Sequence, residues 1–82
     1  MQITVKLFAL MREKAGTDTV ALDIPEGAKL TQALAALVRH YPVLEPYMAN
    51  ARCAVHMNFV DPETHLAEGD ELALIPPVSG GV

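Results

Sequence analysis

Few residues of this 82-residue chain have the type and spacing to do chemistry, and the most unusual group is at the carboxyl end. The sequence finishes Pro76-Pro77-Val78-Ser79-Gly80-Gly81-Val82. Proline cannot donate to a strand ladder and favours extended backbone, so this segment is expected to leave the body as a projecting strand. Pro76 to Gly81 reaches about 20 Å when fully extended, far enough to enter a narrow tunnel in a partner. Gly80 and Gly81 lack a Cβ and let another backbone or a nucleotide come close. A frayed terminus is the plain alternative for a Gly-Gly end.

The other reactive side chains are scattered. His40, His56 and His65 contain no i, i+3 or i, i+4 pair, the spacing that would make a zinc site specific, so each is expected to act alone. Cys53 could accept a persulfide, but a lone cysteine on an apolar strand is more commonly a small buried core residue. Asp70 and Glu71 are adjacent, and strand neighbours point to opposite faces, so turn formation and partner contact are expected rather than acid–base work. Arg12 and Glu13 either meet a partner or solvate a helix face, while Lys6, Lys14 and Lys29 are expected to be solvated. The chain has no GxxxxGK[ST] phosphate loop, so any nucleotide must be held by another protein.

Composition narrows the classes. Hydrophobic residues make up 51% of the chain, which suits a single small domain that has to bury a dense core. One cysteine can close no intrachain disulfide and supplies no four-thiolate site, so a reducing, cytoplasmic setting is expected. No apolar run reaches the roughly 18 to 20 residues of a membrane span, and no secretory leader is recognisable. With 6 basic and 10 acidic residues and a net charge of −4, nucleic acid is disfavoured as a partner. A basic face on another protein is the more compatible surface.

These groups must be positioned by elements that the hydrophobic pattern outlines. Ile3, Val5 and Leu7 alternate with Thr4 and Lys6 in a first strand over 1–8. Ala9 to Ala15 is expected to be a short helix closed by Gly16. Val20, Leu22 and Ile24 mark a second strand, antiparallel to the first if they pair. Leu30, Leu34, Leu37, Val38 and Tyr41 recur at helical spacing and define the main helix, which Pro42 ends. Thr31 is the only good capping side chain near its start, but using it would leave Leu30 outside. Residues 42–51 read as a loop with one helical turn. Residues 52–60 read as a strand or hairpin in which Cys53, Val55, Met57 and Phe59 share a parity. Leu66 to Asp70 forms a turn into a last strand over 71–75. Leu72, Leu74 and Val78 have a split reading: they are expected to be mainly core, with the outer face of the last strand offering an apolar docking patch. The order implies an α+β fold, a mixed sheet with one main helix across one face, as a domain over 1–76 followed by a tail over 77–82.

Phe8-Ala9-Leu10-Met11-Arg12-Glu13-Lys14-Ala15-Gly16 resembles the FAxxRExxG segment of the MoaD family, the small sulfur-carrier subunits of molybdopterin synthase. Cys53-Ala54-Val55 is similar to that family's third strand. Leu66 to Ala73 resembles its LxxGDExA turn, and Ile75 to Gly81 its PPVSGG tail. The resemblance runs in order along the whole chain.

It implies a β-grasp, ubiquitin-like fold and a carrier whose terminal glycine carboxylate is charged with sulfur. Gly81 is then the thiocarboxylate-bearing residue, Gly80 gives the tail its access, and Pro76, Pro77, Val78, Ser79, Leu74 and Arg12 are expected to contact partners. An α-carboxylate, with an ordinary pKa of about 3.3 to 3.7, is ionised at neutral pH and can attack the α-phosphate of ATP. The implied partners are an adenylating enzyme resembling ubiquitin activators, which uses the ATP, a sulfur donor protein, and the large synthase subunit, where sulfur passes to a pterin precursor. The carrier itself is expected to bind no cofactor or metal and to supply no general base.

Two positions depart from the family. Val82 follows Gly81 and blocks its carboxylate, so Val82 is expected to be trimmed before activation. The alternatives are use of the Val82 carboxylate or a role without adenylation at Gly81. His56 stands where the family usually has asparagine, and is expected to alter a local turn or a partner contact. Other readings are a thiamine-pathway sulfur carrier, a ubiquitin-like modifier joined to lysines through Gly81, and a plain interaction module with its tail kept inert by Val82.

Overall fold

The computed structural model describes residues 1–75; the tail residues singled out above, Pro76 to Val82, and the boundary at 76 lie outside the described residues. Strand β1 (Gln2–Leu7) leads into helix α1 (Ala9–Ala15) and returns as β2 (Thr19–Asp23). Helix α2 (Leu30–His40) follows, then a 3₁₀ turn (Pro42–Leu44) and the short helix α3 (Glu45–Met48). Strands β3 (Arg52–Val55), β4 (Asn58–Phe59) and β5 (Glu71–Ile75) complete one five-stranded sheet in the order β2-β1-β5-β3-β4.

The sheet is mixed because its first and last strands lie side by side. β1 pairs parallel with β5, matching Val5 to Leu72 and Leu7 to Leu74, while β1–β2, β3–β5 and β3–β4 are antiparallel. Period-2 alternation places Ile3, Val5, Leu7, Val20, Leu22, Leu72 and Leu74 on the inner face, where they form one core with Leu30, Ala33 and Leu37 of α2. Each such large aliphatic side chain contributes about 1.5 to 3 kcal/mol by burial. This is the β-grasp, α+β architecture expected from the sequence.

The ends of the helices show why the pattern terminates where it does. Gly16 closes α1 at φ 78, a left-handed conformation that costs glycine little, and its N–H reaches the Arg12 carbonyl at 2.9 Å. α2 starts without a Ser, Thr, Asp or Asn cap. Instead the N–H groups of Leu30 and Thr31 donate to the carbonyls of Thr64 (2.9 Å) and Pro62 (3.2 Å), and Gln32 Oε1 accepts from the Lys29 N–H at 2.9 Å. The donors left over at the helix start are thus satisfied by a loop distant in sequence, which resolves the ambiguity around Thr31. Residues 42–51 hold two short helical pieces rather than the single turn expected. Among the described residues, no helix is long and apolar enough to cross a membrane.

Candidate functional site: the sheet face at the tail exit

β5 delivers the chain to the tail from the middle of the sheet. Its last residues, Leu74 and Ile75, pair with Leu7 at the end of β1 and with Arg52 at the start of β3, so β5 ends between Phe8 and Arg52. The direction of β5 is fixed by ladders on both sides and by the turn that precedes it. In that turn Asp70 N–H donates to the Ala67 carbonyl (3.0 Å) and Asp70 Oδ2 accepts from the Ala67 N–H (2.9 Å), around Gly69 at φ 82. Gly69 N–H and the Asp70 carbonyl also bond Gln2 and Thr4 of β1, at 2.8 and 3.0 Å. The Gly-Asp-Glu segment therefore locks the register of the strand that carries the tail.

Side chains alternate along β5, and this corrects one expectation. Leu72 and Leu74 are both 0% exposed in the core, so Leu74 is no partner-contact residue. The outer face belongs to Glu71, Ala73 and Ile75. Ala73 pairs with Ala54, and Ala54 with Phe59, so two alanines form a shallow floor. Phe8, His56, Met57, Phe59, Glu71 and Ile75 surround it. Phe8 (42% exposed), Met57 (96%) and Phe59 (60%) leave large apolar surface open beside the tail exit, the kind of patch that marks a protein interface.

Of these wall residues, the parity along 52–60 misplaces Met57 and Phe59, because the hairpin, one of the two expected forms of this segment, is the one adopted. The shared parity of Cys53, Val55, Met57 and Phe59 assumes one continuous strand, but β3 and β4 are joined by a two-residue turn, His56-Met57, with φ 51 and φ 70. Two successive left-handed residues are what a hairpin turn of this length demands. Asn58 Nδ2 donates to the His56 carbonyl at 3.1 Å, and His56 Nε2 lies 3.4 Å from Asp70 Oδ1. His56 therefore serves the turn, in a backbone region that asparagine and histidine visit more readily than most residues. Phe59 is held over the outer face with the Arg52 guanidinium 4.6 Å from its ring centroid. Two successive apolar outer positions, Ala73 and Ile75, where solvent-facing residues are expected, were the usable signal in the sequence.

The remaining candidates stay apart. Arg12 is exposed on α1, outside the residues that line the floor and walls. His40 is exposed at the end of α2, and His65 Nδ1 lies 2.8 Å from the Gly27 carbonyl. No group of three or more metal-ligating side chains occurs among the described residues. Cys53 points inward, and burial pushes its thiol from 9.0 up to about 11, so it carries little thiolate at neutral pH.

The fold has counterparts among known proteins. The ThiS family matches residues 5–81, a span that includes Gly80 and Gly81. The chain belongs to the ThiS family. A molybdopterin synthase sulfur carrier subunit of Chlamydomonas reinhardtii is 37% identical over 83 residues, covering 99% of this chain and all of that protein. The small archaeal modifier protein 1 of Haloferax volcanii is 42% identical over 84 residues, covering 93% of this chain and 97% of the relative. A crystal structure of SAMP1 from Haloferax volcanii superposes with a TM-score of 0.91 at 36% identity, over 99% of this chain and 100% of that one. The fold alone is shared with subunit 1 or 2 in the complex of molybdopterin-converting factor from Helicobacter pylori, at TM-score 0.71 and 23% identity, over 99% and 100% of the two chains.

Proposed function

We propose that this ThiS-family protein is the sulfur-carrier subunit of molybdopterin synthase, charged at Gly81. The observation that carries the proposal is the near full-length relationship to sulfur carrier subunits, with the family match running through Gly80 and Gly81. The chemistry takes place in the cytoplasm as a sequence of transfers. Hydrolysis of the Gly81–Val82 peptide bond frees the glycine carboxylate. One of its oxygens attacks the α-phosphorus of ATP held by an adenylating enzyme, and pyrophosphate leaves. The terminal sulfur of a donor protein's cysteine persulfide then attacks the acyl carbon and AMP leaves. A thiol cleaves the resulting acyl disulfide, ending in a disulfide with the donor's cysteine, and the freed thiocarboxylate passes its sulfur to a pterin precursor in the large synthase subunit, its acyl group returning to a carboxylate with an oxygen from water.

In this scheme the body positions and the partners catalyse. The outer face formed by Phe8, Ala54, Met57, Phe59, Ala73 and Ile75 docks the partners, while Pro76, Pro77, Val78 and Ser79 lead the glycines into their active sites. ATP–pyrophosphate exchange with an adenylating enzyme, using chains ending at Gly81 and at Val82, tests the assignment. Exchange is expected only for the chain ending at Gly81, followed by a mass gain equal to one oxygen-for-sulfur replacement when the donor is added. Equal exchange by the chain ending at Val82 overturns the trimming step, and a Gly81→Ala chain that carries sulfur normally overturns the charged residue.

The likeness to the archaeal modifier protein favours one second reading, attachment of Gly81 to lysines of other proteins. Higher-mass conjugates that disappear in the Gly81→Ala variant would support it, and their absence from cells making active synthase leaves the carrier role.

A further inference from the structure

We propose that Met57 is a reversible oxidation site whose state gates the outer sheet face. Four methionines occur in the chain, and the fold separates them sharply. Met11 is fully buried, Met1 and Met48 are packed against the core, and Met57 is 96% exposed. Its position is set by the backbone: Met57 occupies the second residue of the His56-Met57 turn at φ 70, a conformation that lifts the side chain onto the rim of the alanine floor beside Phe59 and Ile75. The thioether is therefore accessible to small oxidants in the free carrier and contributes apolar surface where partners dock.

The chemistry needs a peroxide-class oxidant. The sulfur lone pair attacks one peroxide oxygen, an S=O bond forms as the O–O bond breaks, and the departing oxygen takes up protons and leaves as water. Sulfur loses two electrons and the peroxide gains them. A dithiol-dependent sulfoxide reductase reverses the change, the oxygen leaving as water while the two thiols become a disulfide. The sulfoxide is polar, so docking a modified Met57 against an apolar partner surface requires burying an unpaired oxygen. The consequence is a carrier that stops engaging its partners under peroxide and recovers when reductant returns. This rests on the proposed role of the outer face in docking.

The experiment treats the full, uncharged chain with limiting hydrogen peroxide, maps oxidised peptides by mass spectrometry, and measures affinity for the large synthase subunit. Met57 is expected to be oxidised ahead of Met1, Met11 and Met48, and prior binding of the large subunit to slow its oxidation. Affinity is expected to fall about tenfold or more and to return after treatment with the reductase. Met57→Leu, whatever its own starting affinity, should show no change in affinity on peroxide treatment, while Met57→Gln should bind weakly without peroxide. Oxidation spread evenly over the methionines, unchanged affinity once Met57 is oxidised, or a loss that persists in Met57→Leu overturns the proposal. Failure of the unoxidised chain to bind the large subunit overturns the docking role itself, and the gate with it.

Discussion

Leu74 and Phe59 lie on opposite faces of one sheet, and truncating each separates stability from docking. Leu74 is 0% exposed, on the central strand between β1 and β3. Leu74→Ala removes buried methyl and methylene groups between two flanking ladders that limit collapse, a change that costs about 2 to 5 kcal/mol. Small domains hold only about 5 to 15 kcal/mol in total, and for a domain of this size each kcal/mol moves Tm by roughly 4 to 8 °C. Leu74→Ala is therefore expected to melt at least about 8 °C below the parent, yet to bind the large subunit with parental affinity at a temperature where it is folded. Phe59 is 60% exposed and stacks under Arg52. Phe59→Ala loses a cation–π contact of about 0.5 to 1 kcal/mol and little packing, so its Tm should shift by a few degrees while its affinity for the large subunit falls by tenfold or more. Calorimetric melting and titration on the same samples provide both readouts. A Leu74→Ala protein that melts with the parent, or that loses affinity while fully folded, refutes the assignment of faces.

The remaining predictions concern the core thiol, the turn before β5 and the left-handed glycine within it. Because burial holds the Cys53 thiol protonated up to about pH 11, the unfolded chain releases this proton first as pH rises from 9. Stability should then fall by roughly 2 to 3 kcal/mol across that interval, and Cys53→Ala should remove this part of the alkaline loss in urea titrations while leaving sulfur transfer intact. Asp70→Ala removes the carboxylate that accepts from the Ala67 N–H and faces His56, and should cost about 1 to 3 kcal/mol by urea denaturation, with Asp70→Asn retaining part of it. Gly69→Ala places a Cβ at φ 82 and should lower stability by about 1 to 2 kcal/mol in the same assay.

The Gly80-Gly81 pair, the Val82 that follows it and the lack of a GxxxxGK[ST] loop are properties of covalent sequence, and activation by another protein followed from them only together with the resemblance of the Phe8–Gly16, Leu66–Ala73 and Ile75–Gly81 segments to the MoaD family. Strand and helix positions were equally legible: Ile3, Val5 and Leu7 alternate, and Leu30, Leu34 and Leu37 follow helical spacing, because a buried face imposes its own period on whatever sequence covers it. The start of α2 was not legible, since its first donors are satisfied by Pro62 and Thr64, and no local pattern records a partner some thirty residues away. The docking face was hidden for a related reason. Parity along residues 52–60 put Met57 and Phe59 with Cys53, but the two left-handed residues His56 and Met57 reverse the chain and carry Phe59 to the other side, opposite Ala54. Periodicity is local and survives in the sequence; which of two faces meets solvent depends on strand pairing, and pairing is settled only when distant segments come together.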